Sequence, residues 1–195
     1  IQISESAGGL RHPVESIAKI AKAKNPDIMI IADGITAVGV EKIDTTHIDA
    51  LIAGSQKAFM LPPGLAMLGL SAAAVSKIQN GGAKGFYFNL ASEIKSQQKN
   101  TTAYTAVTTL IIGLGAILDE IFDGGLENLY ETTQKRHIAS MGALSALDLL
   151  IYPNAPSLAM TTIALEKADT LRKILKTKYG VNIAGGQDHL KDNIF

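Results

Sequence analysis

The sequence has 195 residues, of which 47% are hydrophobic, 5% aromatic and 18% charged, so it is apolar enough to bury a core and is not a disordered chain. Lys plus Arg and Asp plus Glu both total 18, without the basic excess of nucleic-acid or acidic-membrane binders. The sequence contains no cysteine, which excludes disulfides, thiolate nucleophiles and cysteine-based metal sites within these residues. We expect no nucleic-acid or membrane partner and a reducing, cytoplasmic setting.

The first part of the sequence predicts a helix followed by a sheet. Pro13 opens a stretch with helical apolar spacing, which Asn25-Pro26 ends. The apolar runs Ile28 to Ala32, Ile48 to Ala53 and Leu65 to Leu70 then predict three buried strands, the first of them covered on both faces. Such strands next to a helix are typical of an α/β sheet.

The remainder of the sequence predicts mostly helices. They are expected at Ala72 to Gln79, Leu90 to Gln98, Ala106 to Phe122, Leu126 to Leu150 and Glu166 to Tyr179, with short strands at Met160 to Leu165 and Val181 to Ala184. The break at Asp123-Gly124-Gly125 predicts a domain boundary. Residues 1–123 would then belong to a large α/β domain and residues 124–195 to part of a smaller α+β domain.

Two polar side chains follow predicted strands at their carboxyl ends, which is where open α/β sheets bind ligands. Asp33 comes directly after the first apolar run, and Lys57 follows the second. A carboxylate for a ring nitrogen and an amine for an aldehyde are the two groups that pyridoxal phosphate requires. The same two residues would also suit a solvated surface ion pair, and spacing alone leaves both interpretations open.

Other candidate sites are weaker. Gly81 to Gly85 lacks the spacing of a phosphate-binding GxxxxGK[ST] loop and is predicted to be a flexible loop. The four histidines are scattered without metal-ligand spacing, so we expect no metal site: His12, His47, His137 and His189.

A longer pattern resembles a known family. Gly54 to Ala66, GSQKAFMLPPGLA, closely resembles the cofactor-lysine segment of class V aminotransferases of the alanine–glyoxylate/serine–pyruvate type. Ile31 to Val40 resembles that family's strand and loop around the aspartate that pairs with the pyridine nitrogen. Further segments similar to the family are Ser4 to Gly9, Phe86 to Leu90 and Thr101 to Thr105. The resemblance covers essentially all 195 residues and weakens after Asp123.

The resemblance implies a fold, a cofactor and a set of site residues. The fold would be part of the aspartate-aminotransferase type, in which residues 1–123 form the C-terminal part of the pyridoxal-phosphate-binding large domain. Lys57 would hold the cofactor covalently and act as the acid–base group, and Asp33 would keep the ring nitrogen protonated. The resemblance further implies that Ile35 contacts the ring face, that Gln56 and Thr105 contact the phosphate, and that Ser6 contacts the ring hydroxyl or the phosphate. It also implies that Thr102 and Thr105 act across the interface of a homodimer.

The implied activity is transfer of an amino group between a small amino acid, alanine or serine, and a small 2-oxo acid, glyoxylate or pyruvate. Phosphonate transamination and cysteine desulfuration are alternatives on the same Lys57 and Asp33; desulfurases usually use a reactive cysteine, which these residues lack. Two further alternatives are that the chain by itself is an inert structural piece, and that the protein carries a name unrelated to its chemistry.

The ends of the sequence suggest a fragment of a longer protein. Ile1-Gln2-Ile3 has the pattern of a strand already under way, and Gly185 to Phe195 resembles the stretch that precedes the family's substrate-binding arginine. The family's phosphate-binding glycine loop and ring-stacking aromatic residue have no counterpart here. We therefore expect the 195-residue chain alone to be oligomeric, to bind the cofactor weakly or not at all, and to be inactive.

Overall fold

The helices and strands follow the predicted order along most of the chain. The computed structural model describes residues 1–82 and 85–195, so Ala83 and Lys84 of the predicted glycine-rich loop lie outside the described residues. The strands are β1 Ser4–Glu5, β2 Leu10–Arg11, β3 Ile31–Asp33, β4 Ala50–Gly54, β5 Ala66–Leu70, β6 Leu150–Ile151 and β7 Ile163–Ala164. The helices are α1 Val14–Lys24, α2 Ala72–Asn80, α3 Leu90–Gln97, α4 Thr108–Gly124, α5 Leu126–Ser145 and α6 Ala168–Tyr179, with a 3₁₀ turn at Asp188–Leu190. Across these described ranges, every helix is too short or too polar to cross a membrane.

The chain divides into two compact units, each with its own set of elements. The first unit comprises Ile1, Val14–Ile35 and Ile43–Asp123, and the second comprises Gln2–Pro13, Thr36–Lys42 and Gly124–Phe195. The boundary between the units in the second half of the chain therefore lies between Asp123 and Gly124. Two earlier segments, Gln2–Pro13 and Thr36–Lys42, also belong to the second unit. The assignment of residues 1–123 and 124–195 to a large and a small domain of the whole protein stays a prediction.

The sheet of the first unit combines both strand directions. β3 pairs with β4 in parallel, and β4 pairs with β5 in antiparallel register, with Gly54 opposite Ala66. The predicted first helix is confirmed as α1, whose Val14 and Ala18 are buried. The antiparallel strand was not predicted, because an apolar run does not show its direction.

The prediction that the first strand is covered on both faces is wrong. Ile30 and Ala32 are buried, but Ile31 between them is 53% exposed, and Leu68 of β5 is also exposed. Successive side chains of a strand point to opposite faces, so only one face of β3 has a covering layer here. The other face borders an apolar groove of about 310 Å³, lined among others by Met29, Ile31, Ile52, Leu68 and Ile78.

Asp49 joins several elements of the first unit at the amino end of β4. Its Oδ2 accepts a hydrogen bond from the Ile30 backbone N–H (2.8 Å) and forms an ion pair with Lys22 Nζ of α1 (2.6 Å). Its Oδ1 accepts from the Ser71 hydroxyl (3.1 Å), and Ser71 is the N-cap of α2. Burial of the carboxylate raises its pKa, but the hydrogen bonds from Ile30, Lys22 and Ser71 outweigh burial and hold the pKa below its usual value.

The second unit contains two small antiparallel sheets and several buried apolar side chains. β1 pairs with β2 and β6 pairs with β7. Single bridges join Leu10 to Pro156 and Ala164 to Ile194. Among the buried apolar side chains are Ile3 near the start of the sequence and Ile163 and Ile194 in its last part.

Several predicted elements differ from the structure, among them the strand predicted at Met160 to Leu165, which forms only as β7. The long helix predicted to reach Leu150 ends at Ser145, because the chain turns through Asp148 (φ 55°) before β6 begins. The strand predicted at Val181 to Ala184 does not form; the Val181 N–H instead donates to Leu175 O (3.0 Å) at the end of α6. The expected strand at Ile1 to Ile3 begins only at Ser4, although Ile1 O accepts from the Asp33 N–H (2.8 Å).

Asp169 is a carboxylate with two cationic partners and a lowered pKa. It lies in the first turn of α6, where Oδ2 pairs with Lys173 Nζ (2.8 Å) and Oδ1 accepts from Arg172 Nε (3.0 Å). The hydrogen bonds from Lys173 and then Arg172 lower the pKa of Asp169 to about 2. The position at a helix N-terminus also favours a negative charge.

Replacing Asp49 should destabilise the chain strongly. In Asp49→Ala, Lys22 loses its partner and the Ile30 N–H loses its acceptor, which is expected to cost about 3–5 kcal/mol of unfolding free energy near pH 7. The matched control is Lys42→Ala, which removes an ion pair with Glu127 whose side chains are 75% and 70% exposed, and should change little. Urea unfolding measures both. Equal effects of the two variants would contradict the account of Asp49.

Asp169 should contribute stability that depends on pH. Because its pKa is lower in the folded chain than in the unfolded chain, its contribution is complete above the ordinary aspartate pKa and is lost as the pH falls from about 4 through about 2. The difference in unfolding free energy between the unmodified chain and Asp169→Asn, measured by urea unfolding, should therefore shrink over that interval. The control is Asp192→Asn at an exposed position, whose unfolding free energy should stay close to that of the unmodified chain at every pH. A difference for Asp169→Asn that stays constant from pH 5 to pH 2 would contradict the assignment.

Candidate functional site

The parallel pairing of β3 with β4 brings their carboxyl ends to one edge of the sheet. Asp33 is the last residue of β3 and lies opposite Ile52, and the Gly34 N–H donates to Ile52 O (2.9 Å). β4 ends two residues later at Gly54, and Lys57 follows in the next turn. The two residues singled out in the sequence, Asp33 and Lys57, therefore follow neighbouring parallel strands at the same edge.

A local turn fixes the Asp33 carboxylate. Oδ1 accepts a hydrogen bond from the Ile35 N–H (3.0 Å), which is the bond of an Asx turn. Both Asp33 and Ile35 are half-buried. The carboxylate is therefore held by backbone at the strand end, and Ile35 belongs to the same turn.

Lys57 and Gln56 are exposed, whereas Ser55 before them is fully buried. An exposed amine is accessible to an aldehyde ligand, whereas the amine of a buried and paired lysine is not. A Cβ atom placed on Gly54 would lie 2.6 Å from Gln56 Oε1, so the Gln56 side chain folds back over the glycine. Both predicted cofactor contacts of this turn thus lie at the surface of the sheet edge.

Ser6 lies in the second unit, in a turn after β1. The Glu5 carboxylate accepts hydrogen bonds from the Ala7 N–H (2.6 Å) and the Gly8 N–H (2.7 Å), and the Gly9 N–H donates to Glu5 O (3.0 Å). Glu5 therefore closes the turn from within and leaves Ser6 exposed at its tip.

Thr102 and Thr105 lie in the segment before α4. The Thr102 hydroxyl donates to Tyr104 O, and Thr105 is exposed. Both threonines line a cavity of about 300 Å³ together with Tyr87 and Tyr104, whose ring centroids are 4.7 Å apart. The Ala103 N–H donates to the Glu93 carboxylate of α3 (3.0 Å), which ties this segment to that helix.

The residue types at the sheet edge fit pyridoxal phosphate. Lys57 offers an accessible primary amine for its aldehyde, and Asp33 offers a fixed carboxylate for its ring nitrogen. The cofactor contacts expected of the other site residues stay predictions. These residues are Ser6, Ile35, Gln56, Thr102 and Thr105.

Sequence reasoning missed the residues that hold the site segments in place. Glu5 supports the turn that carries Ser6. The sequence pattern that could have indicated this role is an acidic residue with the small residues Ala7 and Gly8 two and three positions after it. Ser55 holds the loop that carries Lys57. The sequence feature that could have indicated this role is Pro62-Pro63. These two residues lack the N–H that a returning strand would use for pairing, so another group must hold the loop.

Comparison with known proteins extends over the whole chain. Residues 1–190 match the family model described as aminotransferase class-V. An uncharacterized aminotransferase from Helicobacter pylori J99 is 50% identical over 195 residues, which is 100% of this chain and 53% of that protein. The soluble hydrogenase small subunit of Synechococcus sp. PCC 6716 is 33% identical over 98% of this chain and 51% of its own length. A serine–glyoxylate aminotransferase from Hyphomicrobium methylovorum is 28% identical over 90% of this chain and 45% of its own length.

The fold is also that of solved aminotransferase structures. An aspartate aminotransferase from Thermus thermophilus superposes with a TM-score of 0.91 at 28% identity, over 100% of this chain and 56% of that one. The predicted α/β fold, part of the aspartate-aminotransferase type, is thereby confirmed. The chain spans about half the length of the curated relatives it matches.

Proposed function

Because the chain belongs to the class-V aminotransferase family, we propose that the full-length protein is a pyridoxal-phosphate-dependent aminotransferase. Its substrates would be a small amino acid, alanine or serine, and a small 2-oxo acid, glyoxylate or pyruvate. The observation that carries the proposal is the placement of Asp33 and Lys57 after two neighbouring parallel strands. The similarity to a serine–glyoxylate aminotransferase supports the substrate class.

Lys57 would bind the cofactor and move the proton. When bound, pyridoxal phosphate supplies an aldehyde that combines with amines and a protonated ring that withdraws electrons from the substrate Cα. Lys57 would hold the cofactor through a bond between its amine and the aldehyde carbon, with the aldehyde oxygen lost as water, until the substrate amine takes its place. The freed Lys57 Nζ would then accept the proton from the substrate Cα and donate it to the former aldehyde carbon of the cofactor. The exposed position of Lys57 leaves its amine accessible to both ligands.

Asp33 would hold a proton on the ring nitrogen. A carboxylate next to a basic nitrogen favours the protonated form of that nitrogen, and the Ile35 N–H keeps the Asp33 carboxylate oriented. The electron demand of the ring therefore depends on this one negative charge.

Further contacts complete the proposal. Gln56 and Thr105 would contact the cofactor phosphate, Ser6 the ring hydroxyl or the phosphate, and Ile35 the ring face. Thr102 would act with Thr105 across a homodimer, since both lie in a segment on the surface of the first unit. We also propose a cytoplasmic location, with small molecules as the ligands and neither nucleic acid nor membrane as a partner.

Removing the Lys57 amine should abolish activity. In the full-length protein, Lys57→Ala is expected to lower transamination by at least about 10²–10⁴-fold, because the general acid–base group is lost. Cofactor that borohydride reduction fixes covalently to the protein should disappear as well. Lys19→Ala, which removes an exposed lysine of α1, is the matched control and should retain both properties. Wild-type levels of fixed cofactor in Lys57→Ala would refute the assignment.

Removing the Asp33 charge should separate binding from turnover. Asp33→Asn keeps the shape of the side chain and an oxygen that accepts from the Ile35 N–H, but it removes the charge opposite the ring nitrogen. The turnover number is expected to fall about 10²-fold or more, while cofactor content falls far less. Asp27→Asn, at an exposed position shortly before β3, is the control. Near-normal turnover in Asp33→Asn would make Asp33 a structural residue.

A further inference from the structure

The loop that joins β4 to β5 carries Lys57, and its two ends meet at one serine. We refer to residues 55–65 as the lysine loop. The Ser55 N–H donates to Leu65 O (3.1 Å), one step beyond the last strand pair of Gly54 with Ala66. The Leu61 N–H donates to Ser55 O (3.0 Å). The backbone of Ser55 therefore contacts two separate points of the returning half of the loop.

The Ser55 hydroxyl adds two hydrogen bonds that the backbone cannot make. Its Oγ donates to Pro62 O (2.7 Å) and accepts from the Leu65 N–H (3.2 Å). Pro62 and Pro63 have no N–H, so the returning half cannot close against β4 by a regular ladder. The serine side chain instead links the start of the loop to its returning half, beyond the last strand pair.

Ser55 and Lys57 differ in their exposure to solvent. Ser55 is 0% exposed, whereas Gln56 and Lys57 immediately after it are exposed. The Met60 N–H donates to Lys57 O (2.9 Å), and Met60 has a φ of 53°, a conformation that non-glycine residues adopt only when the surroundings impose it. Lys57 thus sits in a tight, strained turn whose base is held by a buried hydroxyl.

On the basis of the proposed function, we propose that Ser55 is a positioning residue for Lys57. Its hydroxyl keeps the lysine loop closed, so that the Lys57 amine is held where it must both attach to the cofactor and move the proton at the substrate Cα. Proton transfer is sensitive to displacements of about 1 Å, so a loop that opens should slow turnover more than it weakens substrate binding.

Other contacts keep the loop folded when the hydroxyl is removed. Phe59 is buried, and a Cβ atom on Gly113 of α4 would lie 3.0 Å from Leu61 Cδ2, so Leu61 packs closely against that helix. A variant at Ser55 should therefore loosen the base of the loop without unfolding the first unit. This makes Ser55→Ala an informative change.

Ser71→Ala is the matched control. Its hydroxyl also makes two hydrogen bonds, donating to Asp49 Oδ1 (3.1 Å) and accepting from the Ala74 N–H (3.1 Å). Ser71 follows β5 at Leu70, which pairs with Ala50, so it lies at the opposite end of the same two strands. The two variants remove the same group from the two ends of one strand pair.

The first measurement is hydrogen exchange of the full-length protein without added cofactor. In Ser55→Ala, the amides of Leu61 and Leu65 are expected to exchange about tenfold faster or more, because the loop opens more often. The same amides in Ser71→Ala should exchange at the wild-type rate. Unchanged exchange of Leu61 and Leu65 in Ser55→Ala would overturn the inference.

The second measurement uses the full-length protein with pyridoxal phosphate. Ser55→Ala should lower kcat about tenfold or more and slow the formation of borohydride-fixed cofactor on Lys57, while KM for the amino acid stays within about twofold. Ser71→Ala should keep the wild-type kcat. Faster exchange with an unchanged kcat and an unchanged rate of cofactor fixation would make Ser55 a structural residue only and overturn the inference. Failure of the wild-type protein to fix cofactor on Lys57 would instead overturn the proposed function.

Discussion

The site depends on the parallel pairing of β3 with β4. Ile31 to Asp33 lie beside Ala50 to Ile52, so both strands end at one edge of the sheet and Asp33 and Lys57 follow them there. A slip of this register by one residue would turn each side chain of β3 to the other face and move Asp33 away from that edge. The chemistry proposed for the protein therefore rests on backbone pairing before it rests on any side chain.

Two side chains secure β4, one at each end of the strand. At the amino end of β4, the Asp49 carboxylate binds the Ile30 N–H and Lys22, which fixes the start of β3 and the position of α1. At the carboxyl end, the Ser55 hydroxyl binds Pro62 O and the Leu65 N–H, which fixes the base of the lysine loop. Neither residue is expected to touch a ligand: Asp49 secures the start of the strand that ends at Asp33, and Ser55 secures the base of the loop that carries Lys57.

The sequence predicted what depends on local patterns and missed what depends on distant partners. Asp33 and Lys57 were placed correctly at strand ends, because apolar runs followed by polar residues mark those ends locally. Asp49 contacts residues 19 and 22 positions away, which no local pattern reveals. The strand predicted at Val181 to Ala184 does not form because apolar alternation needs a partner strand, and the Val181 N–H is bonded to the end of α6.

The most direct test is a crystal structure of the full-length protein grown with pyridoxal phosphate. The account predicts continuous density from Lys57 Nζ to the aldehyde carbon of the cofactor, with the Asp33 carboxylate within hydrogen-bond distance of the ring nitrogen. Cofactor attached to another lysine, or a ring nitrogen facing a group other than Asp33, would contradict it.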